Sequence, residues 1–181
     1  PSLAAGYNIG MLHQEALDFP ELSVLDNFMI GQASGLHQKK ETYRAELMKN
    51  SAQFGFELDP DAGVNRLTVG ERQQLEILRL LALNIRVLIL DEPTTGISRT
   101  QKEILFTGLK KMAAAGKSVI LVSHKLEDVV ALCDEVTVMR QGKVSGRMGA
   151  PFQTDGLLKM MFGELPSPPV HQPATPGKPL L

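Results

Sequence analysis

The sequence predicts an α/β fold with a helical subdomain inserted into it. Two short apolar runs, RVLIL (86–90) and SVILVS (118–123), have the length of buried strands. Segments with helical spacing lie around them, and this alternation is typical of a sheet that is at least partly parallel. In contrast, residues 23–66 contain only helical and turn patterns. These three observations define the predicted fold class.

The elements before RVLIL follow from spacing and from the residues that begin or end them. YNIGMLH (7–13) predicts a short strand, and Ser23 is a candidate N-cap for the short helix that follows the next turn. Residues 38–55 predict a more charged helix, and 57–65 form a turn-rich connection. A further helix is predicted to begin at Val69.

The elements from RVLIL onward continue the alternation. RVLIL is continuous rather than alternating in polarity, which predicts a parallel strand covered on both faces. Ser98 and Gln101 form an S-x-x-Q capping box that begins the next helix, and Gly116 is predicted to end it. The remaining predictions are a buried strand in SVILVS, a helix at 125–133, strands at 135–139 and 143–147, and a helix at 153–162.

A change of composition near the end divides the chain into four predicted segments. From Leu165 the sequence LPSPPVHQPATPGKPLL has no helical or strand period, which is typical of a semi-rigid, extended linker. The predicted segments are a first core part (1–22), the helical subdomain (23–66), a second core part (67–164) and a Pro-rich linker (165–181).

Composition argues against several classes of function. The 19 basic and 20 acidic residues give a net charge of −1, so the charge does not favour nucleic acid or an acidic lipid surface. The longest apolar runs are far shorter than a bilayer span. A single cysteine excludes an internal disulfide and suits a reducing compartment.

Asp91 and Glu92, directly after RVLIL, are the strongest chemical signal. The carboxyl edge of a parallel sheet is where open α/β folds bind ligands, and adjacent carboxylates there favour a cation or hydrogen bonds as compensation. One interpretation is a Walker B motif, in which Asp91 holds Mg²⁺ and Glu92 polarises the attacking water. The alternative is a strand that ends at a solvated acidic turn before Pro93.

LTVGERQQLEIL (67–78) allows two compatible interpretations. Thr68 and Glu71 form a T-x-x-E capping box, which by itself explains both residues. The amides of Val69 and Gly70 at the same helix N-terminus also suit an anion such as phosphate.

In order and spacing, LTVGERQQ, RVLILDEPTT and VILVSH make residues 9–147 resemble the ABC ATPases. The family signature is usually Leu-Ser-Gly-Gly-Gln, and the match here is Leu67-Thr68-Val69-Gly70-Glu71. Thr68 keeps the hydroxyl, whereas Val69 and Glu71 depart from the pattern.

The resemblance also assigns three residues outside the signature and Walker B. Gln14 in IGMLHQ corresponds to the Q-loop glutamine, which contacts the metal or the attacking water in the family. His124 corresponds to the switch histidine, and Ser98 stands where the D-loop aspartate is usual.

The resemblance implies a P-loop NTPase-type ABC ATPase core that is incomplete. The P-loop pattern G-x-x-x-x-G-K-[ST] does not occur in the 181 residues. Gly116-Lys117-Ser118 matches only the last three positions of this pattern. It follows a predicted helix and precedes a predicted strand, which is the reverse of the order around a P-loop. The chain is therefore expected to begin after the P-loop strand and helix, and to be inactive alone.

The implied function is transport-coupled ATP hydrolysis with Mg²⁺, with Glu92, His124 and Gln14 as catalytic residues and Asp91 and Gln14 at the metal. The Pro-rich end resembles the linker of tandem ATPases from sugar and nucleoside importers. The implied partners are permease subunits, a second ATPase domain and, indirectly, a solute-binding protein, but no nucleic acid. The implied location is the cytoplasmic face of the plasma membrane. The alternatives are a truncated non-catalytic ABC module and a non-membrane ABC protein such as a translation factor.

Overall fold

The structure is a computed structural model that describes residues 3, 6–13, 17–30, 32 and 39–163. The chain divides into two units, residues 1–133 and 134–181. The predicted linker at 165–181 lies outside the described residues.

The first unit contains a three-stranded parallel sheet. Its strands are β1 (Ile9–Leu12), β2 (Val87–Asp91) and β3 (Ser118–Val122), in the order β1-β2-β3. Leu90 of the central strand pairs with Leu12 on one side and with Leu121 on the other. RVLIL therefore forms the centre of a parallel sheet, and the predicted α/β class is confirmed.

The described part of the first unit also contains five α-helices. They are α1 (Val24–Met29), α2 (Lys40–Phe54), α3 (Val69–Ala82), α4 (Arg99–Ala114) and α5 (Leu126–Leu132). Helix α3 packs against β1 and α4 packs against β3, whereas α1 and α2 pack against each other and against α3. The described part of residues 23–66 contains α1, α2, a 3-10 turn at Val64–Arg66 and one isolated β-bridge between Ser23 and Gly63.

The helices begin and end where the sequence predicts. The Ser23 hydroxyl accepts a hydrogen bond from the Asp26 amide, and both predicted capping boxes, at Thr68 and at Ser98, are formed. Gly116 follows α4 with φ +81°, a left-handed conformation that suits glycine. Lys117 then donates to the Ile85 carbonyl at 2.6 Å. The Gly-Lys-Ser triplet is thus a helix end and not a phosphate loop.

Among the described residues the sheet is fully buried on one face only. The second face of RVLIL is half-buried at Val87 and Ile89, so the predicted coverage of both its faces is only partial. The prediction that SVILVS is a buried strand is wrong, because β3 is fully buried at no position. Leu12, Leu88 and Leu90 are buried in one core with residues of α3 and α4. On the opposite face, Ile120 and Val122 are each 49% exposed. The reason is that both large helices contribute to the same core, and the described residues leave the second face open.

The second unit is a β-hairpin with one helix. Strands β4 (Glu135–Arg140) and β5 (Lys143–Gly149) pair antiparallel, and the turn between them has positive φ at Gln141 and Gly142. Helix α6 (Thr154–Phe162) packs against both strands. These three elements confirm the predictions for this region. In the part of the chain that the structure describes, every helix is too short or too polar to span a bilayer.

Candidate functional site

Glu92 and His124 meet at the carboxyl end of the sheet. Glu92 Oε1 accepts the His124 backbone amide at 3.0 Å and lies 2.7 Å from the ring Nδ1. The other oxygen, Oε2, has no hydrogen-bond partner among the described residues. The carboxylate therefore has one oxygen held in place and one that is buried without a partner, which leaves its lone pairs free to accept a proton or a hydrogen bond.

The sheet register places this pair. Asp91 is the last residue of β2 and lies beside Val122 of β3, and the Glu92 amide then donates to the Val122 carbonyl at 2.9 Å. Glu92 has φ +47°, a left-handed conformation that costs a residue with a side chain on the order of 1 kcal/mol. Such outliers occur often at functional sites, where surrounding contacts maintain them.

Asp91 is the candidate metal ligand. Asp91 occupies the last ladder position of β2 and is half-buried. Among the described residues, no group of three or more His, Cys, Asp or Glu side chains could hold a metal ion. A cation at Asp91 would therefore need most of its ligands from water or a substrate, which is how Mg²⁺ is usually held.

The signature-like residues form a second group at the start of α3. The Glu71 carboxylate accepts the Thr68 amide at 2.7 Å and the Thr68 hydroxyl at 2.6 Å, and Gln101 Nε2 donates to that hydroxyl at 2.6 Å. Gln101 also accepts the Ser98 amide at 3.0 Å through its Oε1. Gln101 therefore joins the N-terminus of α3 to that of α4, a contact that the sequence did not predict.

The other predicted residues of this group differ in exposure. Leu67 is half-buried, Val69 is 50% exposed and Gly70 is buried. A Cβ at Gly70 would lie 2.8 Å from the Gln101 Cδ atom, so a larger residue there would displace the side chain that joins the two helix ends. Gln14 lies outside the described residues.

The segment after Gln14 is attached to α3 by charged side chains. The Leu17 amide donates to Glu76 Oε1 at 2.5 Å, and Arg79 Nη1 donates to the Leu17 carbonyl at 2.7 Å. Arg72 lies 3.5 Å from the Asp18 carboxylate, which is 2% exposed. Burial raises the pKa of Glu76 despite the Leu17 amide and Arg79, which act to lower it.

Glu76→Gln should change how stability depends on pH. Because the pKa of Glu76 is higher in the folded than in the unfolded protein, the folded state binds its proton more tightly. The contribution of Glu76 to the free energy of unfolding therefore falls as pH rises from about 4.5 through the raised pKa. The amide oxygen of the substituted side chain could still accept the Leu17 amide. We expect thermal melts of wild type and variant to diverge over that window, with the variant gaining relative stability towards neutral pH.

Glu103→Gln is the matched control for that prediction, because Glu103 is an exposed carboxylate paired with Arg99 on α4. Its melting temperature should follow that of the wild type throughout the window. If the difference in melting temperature between the wild type and Glu76→Gln were the same at every pH, the prediction would be contradicted.

A buried network of hydrogen bonds and an ion pair lies near the Glu92–His124 pair, and the sequence did not predict it. The Thr94 hydroxyl donates to Asp128 at 2.5 Å, and Lys125 Nζ donates to the Thr94 carbonyl at 3.0 Å. Lys102 forms an ion pair with Asp128. Asp128 was only a weak indication of this network in the sequence, because the helix dipole already explains an acidic residue in the first turn of a helix.

The matching family model is described as ABC transporter and covers residues 3–95, about half of the chain. The chain is 38% identical, over 145 residues, to the arabinose import ATP-binding protein AraG 1 of Burkholderia cenocepacia; the match covers 78% of this chain and 28% of that protein. It is 34% identical to the ribose import ATP-binding protein RbsA of Caldanaerobacter subterraneus, with 98% of this chain and 37% of that protein covered. The chain thus spans about a third or less of the length of these relatives.

A solved structure of a nucleotide-free ATP-binding cassette from an ABC transporter is similar in fold. Its TM-score is 0.75 at 20% identity, and the match covers 88% of this chain and 68% of that one. The likeness in fold agrees with the family match and with the order of the motifs along the chain. The chain belongs to the ABC transporter family.

Proposed function

We propose that the polypeptide containing this sequence hydrolyses ATP to drive import of a sugar or nucleoside. The observation that carries this proposal is the Glu92–His124 pair, in which one carboxylate oxygen is held by His124 and the other is buried without a hydrogen-bond partner among the described residues. The similarity to arabinose and ribose import ATP-binding proteins supports a sugar as the solute.

In the proposed mechanism Glu92 is the general base. Its Oε2 accepts the proton of the water that attacks the γ-phosphate, while His124 holds Oε1. The His124 side chain is 73% exposed. With Nδ1 engaged by Glu92, Nε2 is the ring nitrogen that remains to donate to the γ-phosphate, a role that requires the protonated ring.

The half-buried Asp91 at the carboxyl end of β2 fits Mg²⁺ and would be its carboxylate ligand. Gln14, which lies outside the described residues, is proposed as a second contact to the metal or the water. One carboxylate with phosphate oxygens and waters is a common Mg²⁺ ligand set. When bound, Mg²⁺ neutralises charge on the phosphates and helps to orient them.

The second group, Leu67 to Glu71 with Ser98, is proposed to contact nucleotide bound to a P-loop on a facing ATPase domain. The support is the N-terminus of α3, where amides and the helix dipole favour an anion. Val69 is half exposed and could move aside for such a ligand. The Glu71 carboxylate accepts hydrogen bonds from the Thr68 amide and hydroxyl, both of which are neutral groups.

The proposed partners are permease subunits, a second ATPase domain in the same polypeptide and, indirectly, a solute-binding protein. The proposed location is the cytoplasmic face of the plasma membrane, and no nucleic acid partner is proposed. The low net charge supports the last point, because binding a phosphate backbone favours a basic surface.

The test is ATP hydrolysis and solute uptake in vesicles that contain the natural polypeptide with its membrane partners. We expect hydrolysis that is stimulated by one sugar or nucleoside, together with uptake of that compound. Lys117→Ala is the control, because Lys117 bonds the Ile85 carbonyl and should not act on phosphate. Hydrolysis without coupled uptake would favour a non-membrane ABC protein, and absence of hydrolysis would favour the non-catalytic module.

A further inference from the structure

Asp128 is a fully buried carboxylate at the start of α5. Its Oδ2 accepts the Thr94 hydroxyl at 2.5 Å, and its Oδ1 forms an ion pair with Lys102. A buried carboxylate is costly unless it is paired and hydrogen-bonded, so both partners stabilise Asp128 in this position.

Lys125 makes a second connection to the same threonine. Its Nζ donates to the Thr94 carbonyl at 3.0 Å and to the Thr94 hydroxyl at 3.2 Å. Thr94 is two residues after Glu92, and Lys125 directly follows His124. Two polar connections therefore join the segment after Glu92 to the segment after His124, at the point where each leaves the sheet.

Lys102 extends this network to α4. It contacts Glu127 at 2.9 Å as well as Asp128, and these two carboxylates raise the pKa of Lys102, with Asp128 the larger cause. The Thr94 side chain is itself buried, with 5% exposure. The centre of the network, Thr94 with Asp128, is thus shielded from water, whereas Glu127 lies exposed at its rim.

We propose that Asp128 is a positioning residue that, through Thr94 and Lys125, holds His124 against Glu92. This inference rests on the proposed function, because the pair it positions is the one assigned to ATP hydrolysis. The exposed His124 ring needs such support, since its contacts at Glu92 depend on where the backbone at His124 lies. A displacement of about 1 Å at a reacting group can cost roughly 100-fold in rate.

The test compares Thr94→Val, Thr94→Ser and Asp128→Asn in the natural polypeptide. Val has nearly the shape of Thr without the hydroxyl, whereas Ser keeps the hydroxyl. We expect kcat for ATP hydrolysis to fall about 10- to 100-fold in Thr94→Val and Asp128→Asn, with KM for ATP changed less than about twofold. Thr94→Ser should stay within about threefold of the wild type.

Glu127→Gln is the control, because it removes a carboxylate that also contacts Lys102 but lies exposed at the rim. Its kcat should equal that of the wild type. The proposal would be overturned if Glu127→Gln lowered kcat as much as Asp128→Asn does. It would also be overturned by Thr94→Val or Asp128→Asn variants that are less stable but keep their kcat.

Hydrogen–deuterium exchange separates this inference from the proposed function. Thr94→Val should speed exchange in peptides that cover residues 92–96 and 123–127, even if the wild type does not hydrolyse ATP. Absence of hydrolysis in the wild type would refute the proposed function. Unchanged exchange in both peptides would refute the positioning role, whatever the activity.

Discussion

Glu92→Gln is expected to lower ATP hydrolysis by the full-length protein by about 10²- to 10⁴-fold, the usual contribution of a general base. The amide oxygen can still accept a hydrogen bond from His124, but the side chain can no longer take a proton from water. Steady-state hydrolysis with and without the substitution measures the loss. Binding of a fluorescent ATP analogue should be unchanged, because Glu92 acts on the water and not on the nucleotide.

The control is Glu57→Gln, which neutralises an exposed carboxylate outside the site. It should hydrolyse ATP at the wild-type rate. If Glu92→Gln retained more than about a tenth of the wild-type rate, Glu92 would not be the general base.

His124→Ala should produce the second largest effect, a loss of about 10²- to 10³-fold in kcat. That is the cost typical of removing one positioned donor to developing charge. The ring holds Glu92 through Nδ1, and we propose that it donates to phosphate through Nε2. Alanine removes both contacts but leaves the backbone amide that also bonds Glu92.

Asn and Gln at position 124 separate the two contacts. In Asn, the side-chain nitrogen is the same number of bonds from Cα as Nδ1 is in His. In Gln, the side-chain nitrogen is the same number of bonds from Cα as Nε2 is in His. His124→Gln should therefore recover part of the activity that His124→Ala loses, whereas His124→Asn should resemble His124→Ala. Single-turnover hydrolysis measures this order, and the reverse order would mean that holding Glu92 matters more than reaching phosphate.

Local interactions made much of this protein predictable from its sequence. The two capping boxes join residues three apart, and the left-handed Gly116 ends a helix within one turn, so neighbouring residues determine both features. The apolar run RVLIL similarly predicts a parallel strand, and the structure adds that this strand is the central one of three. The order of the motifs was sufficient to identify the family.

The composition of a strand did not predict which of its faces is covered. Ile120 and Val122 have the apolar character of core residues, yet each remains about half exposed, because coverage depends on where α3 and α4 pack and not on the strand itself. Likewise, Gln101 was predicted as a cap, and only the packing of α3 beside α4 brings it to Thr68.

The family, the helix ends and the candidate pair Glu92 and His124 could be predicted from the residues alone. The folded structure was needed to show that these two side chains are in contact and that the second Glu92 oxygen is buried without a partner among the described residues. It was also needed to show that Thr94 bonds Asp128 across 34 positions of the chain. The physical reason is the register of β2 beside β3, which places Asp91 next to Val122 and so brings the two following segments together.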